Sequence, residues 1–527
     1  MTMRDRIWFC FAVSIFSFNL SAQEISYPDS FNEPIPQYTE ILGDLHFPIS
    51  SSNRDAQIYF DQGFQLMYAF TKVDAARSFR AAQLADSECA ICFWGEAWTW
   101  GSYLNGAMTS ADAPRAFSAL QQALSLIDNA TEKEADLIHS LQVRYVEDYD
   151  QATRRIQDEA YADAMSELYV RYPDDLNIGT LYADSLFLLE ERRGYRDLND
   201  PNVIRLHGVL TSVLDKDITH PGACHLFVHA TESTPTPEIA EPCARFLGNS
   251  IPGASHINHM PSHTWNEMGL WQDAIKANQQ AWHSDQKAAI GKGFSIYPTH
   301  NLHMMLFAAN MDGQGAIAIQ AGKDLAKLNN DTSQFVMSLI RFGRFDEVVE
   351  ITNRPAADVN GGMWDFAQGY ANLKLGDLKK AQSYLDQLND LTENTEARYR
   401  FHDGKDILGA LAGILQGEMA WSEGDMEAAV AAFRRGTESY DLLNYDEPEP
   451  MPFSPRHWLG AAYIEIGAYD NAIEAFEQDL LDHPNNGWAL FGIQQALAAQ
   501  GKKDQNIDVR MEQAWARSDI WLANSKF

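Results

Sequence analysis

A helical-hairpin unit near the C-terminus constrains the fold of this 527-residue chain more than any other feature. Starting at Phe453, small and aromatic residues recur at intervals that suit two helices joined by a turn. They are Leu459, Gly460, Tyr463, Gly467, Tyr469, Ala472, Phe476 and Pro484. Glycine and alanine on facing helices let two backbones approach, while the aromatic residues fill the space against the next unit. The pattern therefore predicts helical hairpins that stack along the chain.

This spacing resembles the tetratricopeptide repeat, a 34-residue helical hairpin. Asp479 departs from it, because the repeat has a small residue there. Looser units are marked by three further sets: Gly417, Gly424, Ala429 and Phe433; Gly369, Gly376, Ala381 and Leu385; and Gly63, Ala75, Phe79 and Ala82. The resemblance covers most of residues 55–515 and implies an all-α fold, a right-handed α-solenoid of tetratricopeptide-type hairpins. It is weakest over 104–215, where helices are predicted at 132–148 and 157–171 but their register is not fixed.

The N-terminus predicts export. Residues 1–22 have the features of a secretory signal peptide: Arg4 and Arg6, an apolar run to Leu20, and small residues before Gln23. We therefore expect a periplasmic or secreted protein. Residues 23–54, rich in proline, serine and asparagine, are predicted to form an extended lead-in. Helical repeats are expected at 55–215, histidine-rich repeats at 216–312 and C-terminal repeats at 313–527.

Charge and hydrophobicity limit the partners. The formal charge of -33 argues against nucleic acid, because phosphate binding requires clustered lysine and arginine. Beyond the predicted signal, no apolar run approaches the length of a membrane span. The acidic stretch 446–450 is interpreted as a loop between repeats.

Histidines concentrate in the middle of the chain, where residues 220–303 hold nine of the fifteen. One segment places His225, His229 and Glu232 on one helix face, and a second, displaced by 31 residues, does the same with His256, His259 and His263. A third predicted helix carries His300 and His303. If Pro261 lies inside the second helix, it kinks the helix between His259 and His263; if the helix starts at Pro261, His256 and His259 lie on a loop.

Repeat register predicts where these side chains point. In a tetratricopeptide array, positions 2, 5 and 9 of the first helix line the concave groove. Turn glycines Gly269 and Gly313 set two registers that place five imidazoles at such positions, namely His256, His259, His263, His300 and His303. The 31-residue displacement gives His225 position 2 and Glu232 position 9, with His229 one residue away from the stripe. Neighbouring helices pack about 8–10 Å apart, so imidazoles from two or three of them can bind one ion.

A transition-metal site is therefore predicted, with His225, His229, His256, His259, His263, His300 and His303 as ligands. Imidazoles with one carboxylate suit Zn, Cu, Fe, Ni or Mn. With an open coordination position, the site predicts a metal-dependent enzyme, hydrolytic or oxidative, that acts on a small molecule or peptide; Glu232 or Asp285 would be the proton acceptor. The alternatives are a non-catalytic scaffold for a peptide or protein partner with a structural metal, and a metal-storage or delivery protein.

Four cysteines follow the predicted signal. Cys89 and Cys92 form a CxxC motif without the histidine of a haem attachment site, so a local disulfide, two packed thiols and a redox pair all remain open. A hairpin turn around residues 233–237 would bring Cys224 opposite Cys243, as a disulfide or as two thiols. The middle segments also resemble an exported bacterial group of tetratricopeptide proteins that share the phrases HxxxHxxE, HMPxH and HNxH. This resemblance implies the fold and the site but no particular reaction.

Overall fold

The computed structural model describes residues 25–191 and 194–527. The regular secondary structure of these residues is helical, apart from one short antiparallel ribbon formed by β1 (Arg398–Tyr399) and β2 (His402–Asp403). The predicted all-α class is confirmed. The predicted signal peptide lies outside the described residues. No helix in the described part of the chain is long and apolar enough to span a membrane.

Most of the helices pair as consecutive hairpins. The helices of the first half are α1 (Arg54–Tyr68), α2 (Lys72–Ala85), α3 (Ala90–Trp100), α4 (Ala113–Ser125), α5 (Glu132–Ser140), α6 (Arg154–Arg171), α7 (Leu176–Phe187), α8 (Pro201–Leu214), α9 (Pro221–Thr231), α10 (Glu241–Leu247), α11 (Ser255–His259) and α12 (Pro261–Glu267). Those of the second half are α13 (Trp271–Ala288), α14 (Pro298–Met311), α15 (Gly315–Asn329), α16 (Ser333–Arg341), α17 (Phe345–Glu350), α18 (Asp358–Lys374), α19 (Leu378–Asn394), α20 (Gly404–Ser422), α21 (Met426–Tyr440), α22 (Arg456–Glu465), α23 (Tyr469–Asp482), α24 (Gly487–Ala499) and α25 (Gln505–Trp515).

A recurrent contact between a glycine and an aromatic ring joins the two helices of a hairpin. In three repeats the glycine of the first helix faces a phenylalanine sixteen residues later. The pairs are Gly63 with Phe79, Gly417 with Phe433 and Gly460 with Phe476. A Cβ atom at these glycines would lie 2.3–3.0 Å from the ring, which is inside normal van der Waals contact. The small residues of the sequence pattern therefore mark real backbone approaches.

Gly413 and Gly436 bring the backbones of α20 and α21 even closer. A Cβ on Gly413 would lie 2.5 Å from the Gly436 Cα. We expect Gly413→Ala to lower the free energy of unfolding by about 1–3 kcal/mol, because the helices must separate. Gly208→Ala in α8 is the matched control: its Cβ meets nothing within 4 Å, so it should be neutral or stabilising by up to about 1 kcal/mol. Urea unfolding of both variants checks this, and equal effects would contradict the close packing.

Three predictions on the N-terminal half need adjustment. The helix predicted at 132–148 ends at Ser140, since Arg144 turns inward and its Nη2 donates to the Ser102 carbonyl at 2.5 Å. The second predicted helix begins at Arg154, three residues early. The lead-in is extended, but it is held closely against α1, where Gln62 accepts from the Tyr38 N–H and Gln65 from the Gly43 N–H.

The hydrophobic core does not divide at the boundary predicted after residue 215. One cluster of buried residues runs from Phe47 to Ile296 and includes side chains of α9 and α11. The histidine-rich segment is therefore packed as part of the N-terminal repeats.

The C-terminal repeats coil back onto the middle of the chain. Gln334 Nε2 donates to the Pro450 carbonyl at 2.9 Å, and Trp488 Nε1 donates to the Asn310 carbonyl at 3.3 Å. These contacts join residues more than a hundred positions apart in sequence. The histidine-rich helices are consequently enclosed by repeats from both sides.

Asp479, the departure from the repeat pattern, is buried in a polar network. Its carboxylate accepts from His457 Nε2 at 3.2 Å, His483 Nδ1 at 3.1 Å and Asn486 Nδ2 at 2.8 Å. Burial opposes the charge of Asp479, but the two histidines outweigh burial and hold its pKa well below the usual range. The aspartate therefore replaces small-residue packing with an ion-paired core.

Candidate metal centre

Helix α9 is fixed in place by a histidine that is not itself a candidate ligand. Before Pro221, the side chain of His220 caps the helix: its Nδ1 accepts from the Ala223 N–H at 3.1 Å, while its Nε2 lies 3.1 Å from Asn177 Oδ1. Because Nδ1 accepts, the proton is on Nε2 and the ring must be neutral. Burial lowers the pKa of His220 to about 4.

This cap predicts a loss of stability in acid. The pKa of His220 is lower in the folded chain than in the unfolded one, so its contribution is present above about pH 6.5 and lost as the pH falls toward 4. The shift corresponds to roughly 3 kcal/mol. His220→Asn keeps a capping oxygen without a titrating group. Denaturant unfolding at both pH values should show a smaller acid loss in the variant, whereas equal losses would contradict the neutral cap.

The second histidine-rich segment remains helical on both sides of Pro261. Helix α11 contains His256 and His259, and α12 begins at Pro261 and contains His263. Met260 between them keeps helical backbone angles. Proline has no N–H to donate, so the hydrogen-bond ladder is interrupted here and two helices are formed, α11 and α12. His256 and His259 are thus helical and not on a loop.

The first triad consists of His225, His229 and His256, which are all buried and have ligand atoms within 4.8 Å of one another. His225 Nδ1 lies 2.6 Å from the Tyr68 carbonyl, and His229 Nδ1 lies 2.9 Å from Glu232 Oε1. Both partners only accept, so each Nδ1 carries the proton and each Nε2 keeps a lone pair. These two Nε2 atoms and both ring nitrogens of His256 have no hydrogen-bond partner among the described residues.

The second triad consists of His259, His263 and His300, again with ligand atoms within 4.8 Å. His259 Nδ1 lies 2.7 Å from Asn278 Oδ1, which is the accepting atom because Asn278 Nδ2 donates to the Ala274 carbonyl. His263 Nδ1 faces Glu232 Oε2 at 2.5 Å and Glu447 Oε2 at 2.7 Å. The Nε2 atoms of His259 and His263 then approach each other at 2.7 Å.

Glu232 links the two triads. One carboxylate oxygen faces His229 and the other faces His263. Burial opposes ionisation of Glu232, but these histidines outweigh burial and hold its pKa well below the usual range. A carboxylate that accepts from the outer nitrogen of a metal-ligating histidine fixes the tautomer and ring orientation. Glu232, predicted as a proton acceptor, therefore lies behind the imidazoles, where it can orient them.

Glu447 is the residue that sequence reasoning missed. It belongs to the acidic stretch interpreted as an inter-repeat loop, and it does lie between α21 and α22. The coiling of the solenoid buries it against His263. A further group of possible ligands combines Glu232 and Glu447 with His229 and His263. His229 Nδ1 and Glu232 Oε1 form a hydrogen bond at 2.9 Å, while His263 Nδ1 lies within ion-pair distance of Glu232 Oε2 and Glu447 Oε2.

Burial favours the neutral form of four of these imidazoles. It lowers the pKa of His225 to about 3 and, together with repulsion between neighbouring rings, places the pKa values of His229 and His256 well below the ordinary value. His259 is shifted in the same direction for the same reasons. Metal ions bind neutral imidazole, so the lone pairs are available at neutral pH.

A cavity of about 360 Å³ opens directly onto both triads. His229 and His256 of the first triad line it, as do His263 and His300 of the second. Its remaining wall is mostly polar and includes Asn105, Tyr297, Gln334, Tyr399, Arg400 and Glu447. A small molecule in this cavity would contact the histidines on one side and hydrogen-bonding groups on the other.

Two predicted site residues fall outside the triads. His303 lines the cavity but belongs to neither set, and burial lowers its pKa to about 4. Asp285 accepts from Ser295 Oγ at 2.7 Å and Asn301 Nδ2 at 2.9 Å, and it does not line the cavity. Its carboxylate holds the segment before α14 in place, which gives it a structural role.

Both cysteine pairs are disulfides in the structure. Cys89 joins Cys92, and Cys224 of α9 joins Cys243 of α10. The second bond ties the helix that carries His225 and His229 to its neighbour. The possibilities left open by the sequence are resolved in favour of bonded pairs.

The helical hairpins and one family match define the class of protein. The tetratricopeptide repeat family model matches residues 455–478, which lie in the α22–α23 hairpin. The chain is therefore a helical-repeat protein that carries a tetratricopeptide repeat, as the spacing around Gly460 predicts. No curated protein sequence matches the chain.

Solved structures of helical-repeat proteins are similar at low identity. Yeast Tom70 is 12% identical over 89% of this chain and 99% of its own, with a TM-score of 0.33. The human IFIT1 dimer with m7Gppp-AAAA is 9% identical over 82% and 90%, with a TM-score of 0.31. The Cut9–Hcn1 hetero-tetramer of APC/C is 14% identical over 87% of this chain and 76% of its own, with a TM-score of 0.29. At these scores none of the three supports a functional assignment.

Proposed function

We propose that this chain is an exported metal-dependent enzyme that holds a transition metal at His225, His229 and His256 and acts on a small molecule or peptide in the adjoining cavity. One observation carries the proposal: buried imidazole nitrogens converge without a protein partner, while the outer nitrogens of His225 and His229 are held by acceptors. An unsatisfied buried polar group costs about 1–3 kcal/mol. A metal ion satisfies all of these lone pairs together.

Three histidines leave room for a further ligand, which is typical of catalytic sites. An ion held there, with one position facing the cavity, would supply Lewis acidity toward a carbonyl or a water molecule. The chain's own groups do the rest. Glu232 and the Tyr68 carbonyl orient the imidazoles, and Glu447 is a carboxylate of the cavity wall that can accept a proton from substrate or water.

The ligand set narrows the choice of ion. All-imidazole triads suit Zn, Cu, Fe and Ni, whereas Mn prefers oxygen ligands. Zinc would favour hydrolysis, because it acts as a Lewis acid and has no redox chemistry of its own. Copper or iron would allow oxidation. The reaction class therefore follows from the identity of the ion.

Export remains part of the proposal. Two disulfides support an oxidising compartment, because such bonds persist outside the reducing cytoplasm. The disulfide between α9 and α10, which lies next to the histidine cluster, therefore suits a periplasmic or secreted protein.

The second candidate is a non-catalytic scaffold, which the burial of the cluster and the tetratricopeptide repeat favour. In that case the metal would hold neighbouring repeats together, and a peptide or protein partner would occupy the concave face. A storage or delivery protein would instead exchange its ions readily.

A turnover screen separates these functions. The zinc-loaded chain would be tested on chromogenic esters, phosphoesters and peptides, and the copper-loaded chain on phenols with dioxygen. We expect turnover that His229→Ala abolishes while the helical circular dichroism spectrum is unchanged. His283→Ala is the control, since His283 is exposed on α13 and outside the cluster. Metal binding without turnover of any substrate, with a metal-dependent melting temperature, would replace the enzyme by the scaffold.

A further inference from the structure

The second histidine triad has no role in the function proposed above, yet its ligand atoms converge as closely as those of the first. His259 Nδ1 donates to Asn278, which leaves a lone pair on Nε2. His263 Nδ1 faces carboxylate oxygens and therefore carries a proton, and its Nε2 has a lone pair whenever the ring is neutral.

The two Nε2 atoms lie 2.7 Å apart. Two bare lone pairs at this distance repel, so either a proton or a metal ion lies between them. A metal ion about 2.0–2.1 Å from each nitrogen would satisfy both, with only a small separation of the rings. His300 completes the set, because its ring centroid is 4.6 Å from that of His259 and 5.6 Å from that of His263.

The two triads are neighbours. The rings of His229 and His263 are 5.3 Å apart, and those of His256 and His259 are 5.9 Å apart. Glu232 holds a histidine of each triad with its two oxygens. Both triads also contribute to the wall of the same cavity. One substrate could thus contact both.

We propose that the chain binds two metal ions side by side, one in each triad, with Glu232 as the shared outer carboxylate. This inference rests on the proposed function and extends it from a one-ion to a two-ion centre. The ions are zinc or copper, which are first-row metals that bind imidazole well. The ligands here are nitrogen atoms, and the carboxylates are engaged behind them. A two-metal site can position both the attacking and the leaving group of one substrate.

The first test is the stoichiometry of zinc. The full-length mature chain, stripped with a chelator, would be loaded with zinc chloride, passed through gel filtration and measured by elemental mass spectrometry. We expect two zinc ions per chain. His225→Ala should keep one, His300→Ala should keep one, and His283→Ala should keep both.

The outcomes separate the two proposals. One zinc per chain in the wild type, unchanged by His300→Ala but lost in His225→Ala, would overturn the two-ion centre and leave the one-ion site intact. No zinc in the wild type would overturn both. The wild-type count alone decides between two ions, one ion and none, so the test of the two-ion centre does not depend on the folding of any variant.

Copper binding provides an independent test of how close the two ions lie to each other. With two equivalents of Cu(II), neighbouring ions couple magnetically, so we expect an electron paramagnetic resonance intensity well below two spins per chain. His300→Ala, with one ion left, should restore the signal of one isolated Cu(II). Two full, uncoupled spins in the wild type would contradict the shared centre.

Discussion

Replacing Glu232 with glutamine should lower the zinc affinity of the histidine cluster by about two to four orders of magnitude. Loss of one outer partner of a metal-ligating histidine typically costs 10- to 100-fold, and Glu232 serves two of them. Glutamine keeps the volume but has one acceptor oxygen and one donor amide. The amide would face an imidazole N–H, so either His229 or His263 must lose its hydrogen bond or change its tautomer.

Competition with a chromophoric chelator would measure this loss. Glu238→Gln is the matched control, because it removes the same charge from an exposed position six residues away. Its zinc affinity should stay within about threefold of the wild type, since a screened surface charge has little effect. If Glu232→Gln bound zinc as tightly as the control, the carboxylate would not orient the ligands.

Removing the metal should lower the free energy of unfolding by about 4 kcal/mol when free metal was present at roughly 1,000 times its dissociation constant. The metal-free chain retains converging lone pairs at His225, His229 and His256 and the close contact between His259 and His263. Their relief favours binding to the folded chain, because the unfolded chain does not assemble the triads.

Thermal unfolding with and without a chelator would show this effect, and adding zinc back should restore the higher midpoint. The His225→Ala/His256→Ala variant should respond much less, since only the second triad remains. Identical midpoints for the treated and untreated wild type would mean that no bound ion stabilises the fold.

The repeats could be predicted because their signals are local. Gly460 and Phe476 lie sixteen residues apart and meet across one hairpin, so their spacing alone predicts their contact. The register argument for the histidines is local in the same way. A turn glycine fixes the phase of the helix before it, and His256, His259 and His263 follow that phase into the cluster.

Long-range packing set the limits of prediction. Glu447 contacts His263 only because the C-terminal repeats coil back, and nothing near either residue encodes that approach. The acidic run around Pro448 was interpreted as a loop, and such a run is ordinarily exposed. In the structure Asp446 and Glu447 are buried. His300 and His303 show a subtler limit: both were placed on groove positions, but only His300 reaches a triad.

Roles were harder to predict than positions. Helical spacing placed Glu232 beside His229, but the spacing did not reveal that its other oxygen faces His263 on another helix. Asp285 was chosen as a carboxylate near the site; in the structure it accepts hydrogen bonds from Ser295 and Asn301 and does not line the cavity. A carboxylate's function depends on which donors surround it in three dimensions.

The most direct test of the metal centre is the metal content of the chain, purified from the periplasm or medium to which we propose it is exported and measured by elemental mass spectrometry. The account predicts at least one tightly held transition metal per chain, and a marked loss in the His225→Ala/His256→Ala variant with the fold retained. No metal in the wild-type chain, and equal stability in the variant, would contradict it and leave the cavity as a binding surface for a peptide or partner.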